Sequence, residues 1–213
     1  MKILFVGNSY TFFNDLPTMF MDLLFENGIE VDVESVTKGG RALNENFTKS
    51  DETANALREK AANEYDLLIL QEQSILPIID YDKFLFGVRE TVNLITASKV
   101  MLYATWGRRE GHPVLEEHGW TRLGMTEDLR AAYANAGKEV GALVSNVGLA
   151  FAAVLESNPD IELYKSDLTH PSRIGSALAA LCHYKTFFGK LPERYASLDL
   201  GEYAGILLSA AGK

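Results

Sequence analysis

The sequence is poor in cysteine and in positive charge, and it has no long uninterrupted apolar run. Cys182 is its single cysteine, so the chain forms no internal disulfide. The 20 Lys and Arg residues are outnumbered by 29 Asp and Glu, which leaves a net charge of −9. Nucleic acids and anionic membranes both select clustered positive charge, so neither is an expected partner. No apolar run approaches the ~18 residues of a membrane-spanning helix. A cytoplasmic location is expected, unless a leader has been removed from the chain.

No repeat or Pro- or Ser-rich linker divides the chain, so residues 1–213 are expected to form one domain. Strand-like apolar runs alternate with helix-like segments, which is typical of an α/β protein with a parallel sheet covered on both faces. In the second strand Val31 and Val33 alternate with acids, which is typical of a strand near a sheet edge. The predicted strands are 2–6, 30–36, 66–70, 99–104 and 143–147, and the predicted helices are 15–26, 51–63, 81–97, 127–141, 149–157 and 172–188.

The clearest functional signal lies where the first strand ends. The strand leads directly into Gly7-Asn8-Ser9-Tyr10-Thr11. Ser9 is therefore expected on a tight turn at the carboxyl end of a parallel strand, where open α/β sheets bind their ligands. A nucleophilic serine needs an exposed hydroxyl beside backbone N–H groups, and a glycine-assisted strand-to-helix turn can supply both.

An Asp-x-x-His motif, Asp167 to His170, lies near the other end of the chain, just before the last predicted helix. Its loop can reach the same sheet edge as Ser9. Acyl transfer needs a nucleophile, a base and a group that orients the base. Ser9, His170 and Asp167 are the candidates for these roles. As an alternative, Asp167 and Ser172 are also common turn and helix-capping types.

The loops after the other strands supply candidate donors for a developing oxyanion. They are the backbone N–H groups of Ser9 and of Gly40 or Gly39, and one side-chain amide from Gln73 or Gln71. For the glycine pair, a simple turn is the competing interpretation, and for the glutamines it is hydrogen bonding within the loop.

Residues 105–125, after the fourth strand, are rich in Gly, Arg, His and Trp. A loop of about twenty residues is unusual in a compact domain and suggests a functional role. Trp106 and Arg108 are candidate substrate-binding residues, since aromatic faces stack on sugars or acyl chains and arginine binds carboxylates. Asn8, beside the nucleophile, is a third. A solvated loop whose tryptophans pack locally is the alternative.

No metal is expected in that segment. The His-x-x-Glu-His pattern of metalloproteases fails because Val114 occupies one of its positions, and Pro113 is expected to disrupt a helix there. Cys182 and His183 fall in an apolar helical run and are predicted to be packed core residues.

Five blocks of this sequence resemble the SGNH (GDSL-like) hydrolase superfamily, and in particular an uncharacterised bacterial subgroup. They are Gly7-Asn8-Ser9-Tyr10-Thr11, Gly39-Gly40, Leu70-Gln71-Glu72-Gln73-Ser74, Thr105-Trp106-Gly107 and the segment 167–172. The resemblance implies a flavodoxin-like three-layer α/β/α sandwich with a five-stranded parallel sheet, and ester hydrolysis without metal or organic cofactor. It also implies Ser9 as nucleophile, Asp167 and His170 as the rest of the triad, and Gly40 or Gly39 as an oxyanion donor.

The third block departs from the usual Gly-x-Asn-Asp pattern of that superfamily. Gln73 aligns with the asparagine and offers the same amide chemistry on a longer arm. Gln71 is the competing choice, because some carbohydrate acetylesterases of the superfamily carry Gln-Gly-Glu in this block.

The function expected from the sequence is that of a serine esterase acting on short acyl groups, acetyl above all, carried by a carbohydrate or a small alcohol. Two alternatives remain. One is a flavodoxin-like module that binds flavin phosphate in the first loop, and the other is a non-catalytic carbohydrate-binding protein of the SGNH fold. No oligomeric state is predicted.

Overall fold

The computed structural model describes all residues from Met1 to Lys213. At its centre lies one five-stranded sheet, in which all four neighbouring pairs run parallel and the strand order is β2-β1-β3-β4-β5. The strands are β1 (Lys2–Gly7), β2 (Asp32–Thr37), β3 (Glu64–Leu70), β4 (Thr96–Ala104) and β5 (Leu143–Asn146). The five-stranded parallel sheet and the edge position of the second strand are confirmed.

Eleven α-helices connect and cover the strands, and none is long and apolar enough to cross a lipid bilayer. They are α1 (Ser9–Phe12), α2 (Leu16–Glu26), α3 (Glu45–Thr48), α4 (Glu52–Lys60), α5 (Leu76–Ile79), α6 (Tyr81–Leu94), α7 (Pro113–His118), α8 (Arg122–Val140), α9 (Val147–Ser157), α10 (Arg173–Phe188) and α11 (Ala204–Gly212).

Successive residues of β1 contribute to two separate apolar cores. Ile3 and Phe5 belong to the core beneath α2, α9, α10 and α11, whereas Leu4 and Val6 belong to the core beneath α4, α6 and α8. This alternation follows from the pleat of a strand, whose side chains point to opposite faces in turn. Because helices cover both faces, the central strands are apolar at almost every position. The result is the predicted three-layer α/β/α sandwich.

The segment 105–125 is more ordered than its composition predicts. It contains α7 and the first turn of α8. Pro113 begins α7 instead of disrupting it, because the first position of a helix needs no N–H hydrogen bond. The His112 side chain caps this helix by accepting a hydrogen bond from the Val114 N–H at 3.1 Å. The expectation of a long loop without secondary structure was therefore wrong.

The third predicted helix and the C-terminal segment also differ from the sequence prediction. The third predicted helix extends to residue 97, but α6 ends at Leu94 and β4 begins at Thr96. Pairing of Thr96 with Glu64 and of Ala97 with Tyr65 extends the sheet at this point. The C-terminal helix α11 was not predicted, and it buries Leu207 against the layer formed by α9 and α10.

Candidate active site

The turn after β1 is built so that Ser9 opens the helix α1. Asn8 caps that helix, since its side-chain oxygen accepts from the Tyr10 N–H at 3.2 Å while its Nδ2 donates to the Arg41 carbonyl at 2.9 Å. Only glycine fits at position 7, because a Cβ there would lie 2.5 Å from Thr11 Oγ1. The first N–H groups of a helix have no partner within it, and the Ser9 N–H meets no acceptor elsewhere in the protein.

Asn8 borders the site with its side chain engaged elsewhere. It is only 2% exposed, and both polar atoms of its amide are bonded to backbone groups. Its side chain thus shapes the turn, and the prediction that Asn8 binds substrate stays a prediction, since Asn8 also lines the cavity of the site.

The structure brings Ser9, His170 and Asp167 together, although Ser9 and His170 lie 161 positions apart in the chain. His170 Nε2 lies 2.8 Å from Ser9 Oγ, and His170 Nδ1 lies 2.7 Å from Asp167 Oδ2. A carboxylate, an imidazole and a hydroxyl thus form one continuous hydrogen-bonded line.

The second carboxylate oxygen of Asp167 is bonded to its own loop. Oδ1 accepts the backbone N–H groups of Thr169 at 3.0 Å and of His170 at 2.9 Å. Partial burial raises the pKa of Asp167, but the hydrogen bonds from His170 and Thr169 outweigh it, and the net pKa lies below its ordinary value. An ionised Asp167 holds the proton of His170 on Nδ1, which leaves Nε2 as the acceptor for the serine hydroxyl.

Trp106 lies beneath this loop and makes no contact with solvent. It is fully buried, its ring stacks on Phe151 with centroids 4.0 Å apart, and its Nε1–H donates to the Thr169 carbonyl at 3.0 Å. A buried ring cannot form a substrate wall. The prediction for Trp106 was wrong because an aromatic residue in a polar segment can supply core packing as readily as a binding surface.

Three hydrogen-bond donors meet at the site without an acceptor in the protein: the backbone N–H groups of Ser9 and Gly40, and the side-chain amide of Gln73. The Gln73 Oε1 accepts the N–H groups of Ile75 and Leu76, both at 3.0 Å, which fixes the amide and leaves its Nε2 free. Gly40 borders the cavity with a positive φ of 69°, whereas Gly39 does not border it.

Gln71 occupies a different environment. It is buried, and its Oε1 accepts the Asn8 N–H at 3.0 Å and the Thr11 hydroxyl at 2.9 Å. Its Nε2 donates to the carbonyl of Glu72. The Gln71 amide thus holds together the turns after β1 and β3, and it does not border the cavity.

Glu72 is a buried carboxyl group that sequence reasoning missed. Its Oε1 accepts the N–H groups of Leu43 at 3.0 Å and of Gln73 at 2.6 Å, and so links the segment after Gly40 to the segment that holds Gln73. Burial raises the pKa of Glu72 to about 8. An acid two residues after the apolar strand end Leu67-Leu68-Ile69-Leu70 is the sequence signal that points to it.

These groups surround a cavity of about 230 Å³. No group of three or more His, Cys, Asp or Glu side chains in the structure could hold a metal ion. The residues that line the cavity are Asn8, Ser9, Tyr10, Gly40, Gln73, Ser74, Arg108, His112, Thr169 and His170. Of the three predicted substrate-binding residues, Asn8 and Arg108 line this cavity and Trp106 does not. Arg108 also keeps N–H groups on Nη1 and Nη2 beyond the two that bond to Tyr10 and Ser74.

A protein from Slackia heliotrinireducens, described as a candidate SGNH hydrolase, has a solved structure that matches this one with a TM-score of 0.74. The two sequences are 30% identical, and the match covers 88% of this chain and 98% of that one. The chain belongs to the SGNH hydrolase family. The resemblance to the SGNH superfamily and the predicted fold class are thereby confirmed.

Two structures that are more distant in sequence share the fold of this chain. A DUF4886 family protein from Bacteroides uniformis matches with a TM-score of 0.82 and 18% identity, over 100% of this chain and 93% of that one. An acetyl xylan esterase from Geobacillus stearothermophilus matches with a TM-score of 0.60 and 17% identity, over 88% and 93%. No family model matches the sequence, and no curated protein matches it either.

Proposed function

We propose that this SGNH hydrolase is a serine esterase that cleaves short-chain esters, acetyl esters above all, with Ser9 as nucleophile, His170 as base and Asp167 as the group that orients the base. The observation that carries the proposal is the 2.8 Å contact between His170 Nε2 and Ser9 Oγ, continued at 2.7 Å from His170 Nδ1 to Asp167. A serine hydroxyl is a weak nucleophile until a base accepts its proton, and this arrangement supplies that base.

In the first step, Ser9 Oγ attacks the ester carbonyl while His170 Nε2 accepts the hydroxyl proton. The carbonyl oxygen becomes an oxyanion, which accepts hydrogen bonds from the N–H groups of Ser9 and Gly40 and from the amide of Gln73. When the tetrahedral intermediate collapses, the bond to the alcohol breaks and His170 returns the proton to the departing oxygen. The products of this half are the free alcohol and an acyl ester on Ser9.

In the second step, a water molecule replaces the alcohol. His170 removes one proton from that water as its oxygen attacks the acyl carbon, and the same three donors hold the new oxyanion. Collapse of the intermediate transfers the proton to Ser9 Oγ and releases the carboxylic acid. Asp167 remains ionised throughout and stabilises the imidazolium that forms in each half.

The size of the cavity supports a short acyl group. Its volume of about 230 Å³ is below the ~300–1,000 Å³ of pockets that enclose drug-sized ligands. The acetyl xylan esterase that shares this fold supports acetyl groups on a carbohydrate or a small alcohol as the first substrates to try.

The alternatives from the sequence receive less support. A flavin-phosphate loop would use the Ser9 hydroxyl to contact phosphate, whereas here that hydroxyl is bonded to an imidazole oriented by a carboxylate. A non-catalytic carbohydrate binder has no need of the hydrogen bonds that connect Asp167, His170 and Ser9. We therefore keep a small-molecule or carbohydrate ester as the proposed substrate.

Hydrolysis of 4-nitrophenyl acetate, butyrate and octanoate by the wild type and by Ser9→Ala tests this proposal. We expect acetate to be cleaved fastest, and Ser9→Ala to lose at least ~10³-fold in kcat. Ser50→Ala, which removes an exposed hydroxyl outside the site, is the matched control and should retain full activity. Labelling with a phosphonofluoridate should modify the peptide that contains Ser9. A folded wild type that cleaves none of the esters, or a Ser9→Ala variant with wild-type activity, would refute the proposal.

A further inference from the structure

Arg108 is a buried cation without an anionic partner. It is only 9% exposed, and no carboxylate lies within ion-pair distance of its guanidinium. The contrast is with Arg41, the other buried arginine, whose Nη1 lies 2.9 Å from Asp51 Oδ2. A buried charge is costly unless it is paired, so the unpaired guanidinium of Arg108 needs an explanation.

The protein satisfies only part of this guanidinium, and only with neutral groups. Nη1 donates to the Tyr10 hydroxyl at 2.6 Å and Nη2 donates to the Ser74 hydroxyl at 2.7 Å. Nε is buried and has no acceptor. A guanidinium carries five N–H groups, so one further N–H on Nη1 and one on Nη2 remain for a ligand in the cavity.

The two hydroxyls anchor the cation beside the reacting groups. Tyr10 follows the proposed nucleophile Ser9 in the chain, and Ser74 follows the proposed oxyanion donor Gln73. The Tyr10 ring centroid lies 5.8 Å from Arg108 Cζ and 5.5 Å from the centre of the His170 ring. Arg108 also lines the cavity that Ser9 and His170 line, so one small ligand can touch all three.

The remaining charges around the cavity leave Arg108 free to attract an anion. Asp167 is the nearby carboxylate, and its two oxygens are already bonded to His170 and Thr169. His112 also lines the cavity, where burial and the charge of Arg108 both lower its pKa. A neutral His112 adds no charge to the cavity, which leaves the guanidinium of Arg108 as its permanent positive charge.

We propose that Arg108 binds a free carboxylate carried by the substrate, so that the preferred substrates are esters with a carboxylate elsewhere in the molecule. A carboxylate presents two coplanar oxygens to a guanidinium, and such charge-assisted contacts are among the strongest hydrogen bonds in proteins. Two sources share this chemistry: the acyl group, as in a half-ester of a dicarboxylic acid, or the alcohol, as in an acylated hydroxy acid. The inference rests on the esterase function proposed above.

Paired substrates that differ by one carboxylate test the proposal by turnover. The acyl side is probed with mono-4-nitrophenyl succinate against 4-nitrophenyl butyrate, and the alcohol side with acetylsalicylate against phenyl acetate. For one of these pairs, Arg108→Gln should reduce the ratio of kcat/KM for the charged over the neutral ester by about 10–100-fold. The pair that responds identifies the side of the ester that carries the carboxylate.

Arg109→Gln is the matched control, because its guanidinium pairs with Glu162 on the surface at 2.6 Å. This variant should retain the wild-type ratio for both pairs. Arg108→Lys, which keeps the charge and loses the planar fork, should fall between the wild type and Arg108→Gln. An equal loss on charged and neutral esters in Arg108→Gln would indicate a purely structural arginine and overturn the proposal.

Binding to a variant without the nucleophile separates this proposal from the esterase function. We expect Ser9→Ala to bind at least one of the two charged esters, measured by calorimetry, about 10–100-fold more tightly than its neutral partner. The double variant Ser9→Ala/Arg108→Gln should lose that preference. Equal affinity within both pairs, or no binding of any of the four, overturns the carboxylate proposal. A wild type that binds the charged ester and cleaves none would refute the esterase function alone.

Discussion

The ring of Phe13 lies flat against the imidazole of His170, with ring centroids 4.2 Å apart and planes 15° apart. The ammonium of Lys165 lies 5.0 Å from the centre of the same phenyl ring. Asp167 fixes Nδ1 of the imidazole and Ser9 contacts Nε2. Neither contact prevents the imidazole from rotating about the axis through its two nitrogens. Stacking against the flat Phe13 ring restrains this rotation.

We expect Phe13→Ala to lower kcat about 10-fold with little change in KM, because Phe13 acts by positioning the base. For comparison, a misplacement of reacting groups by 1 Å can lower the rate ~10²-fold. Phe13→Leu, which keeps an apolar contact without a flat face, should fall between Phe13→Ala and the wild type. Steady-state kinetics on 4-nitrophenyl acetate measures both. Phe25→Ala, in an exposed part of α2, is the control and should leave kcat unchanged. A raised KM with constant kcat would mean that Phe13 contacts the substrate instead.

The two glutamines that the sequence could not separate should behave differently when replaced. Gln73→Ala removes a free amide donor at the cavity, and we expect it to lower kcat by about 10²–10³-fold. It also removes the acceptor of the Ile75 and Leu76 N–H groups, which should cost about 1 kcal/mol of unfolding free energy. Gln71→Ala removes the acceptor of the Asn8 N–H and the Thr11 hydroxyl, so it should cost about 1–3 kcal/mol of unfolding free energy. Kinetics and urea unfolding of both variants distinguish the two effects. Equal and small decreases in kcat in the two variants would show that neither amide is an oxyanion donor.

The buried Glu72 should make the protein less stable as pH rises. Its pKa is about 8 in the folded protein, against about 4.5 in an unfolded chain. The folded state therefore retains a proton that the unfolded state has lost, and the unfolding free energy falls as pH rises between these two values. Glu72→Gln keeps an acceptor for Leu43 and Gln73 and cannot ionise. We expect its Tm relative to the wild type to increase from pH 5 to pH 9. Parallel plots of Tm against pH for the two proteins would contradict the raised pKa of Glu72.

The buried His183 should have the opposite effect and destabilise the protein in acid. It is fully buried in α10, its Nδ1 lies 2.8 Å from Ser145 Oγ, and burial lowers its pKa to about 3. An unfolded chain gains the proton near pH 6.5, so the unfolding free energy falls as pH decreases from 6.5 towards 3. His183→Gln should lose less stability than the wild type between pH 7 and pH 4, as measured by urea unfolding. Equal losses would show that other groups control the acid sensitivity.

Core positions were predictable from local pattern. Cys182 and His183 are buried as expected, and burial raises the pKa of the Cys182 thiol to about 12, which keeps it protonated. The short helix that Pro113 begins was missed, because the effect of proline depends on whether it stands at the first position of a helix or inside it. The helix α11 was missed because its stability comes from packing on other helices more than from its own sequence.

By itself the sequence determined the five strands of the parallel sheet and the longer helices between them, the serine turn after the first strand and the resemblance to the SGNH hydrolases. Each of these depends on residues within a few positions of one another, where periodicity and turn chemistry act. Only the tertiary structure decided that Trp106 is packed beneath the Thr169 loop, that Gln71 is engaged and Gln73 free, and that Arg108 has no carboxylate partner. Their neighbours come from loops far apart in the chain, and side chains of the same chemical type differ in role because burial and hydrogen-bond partners differ from one place in the fold to another.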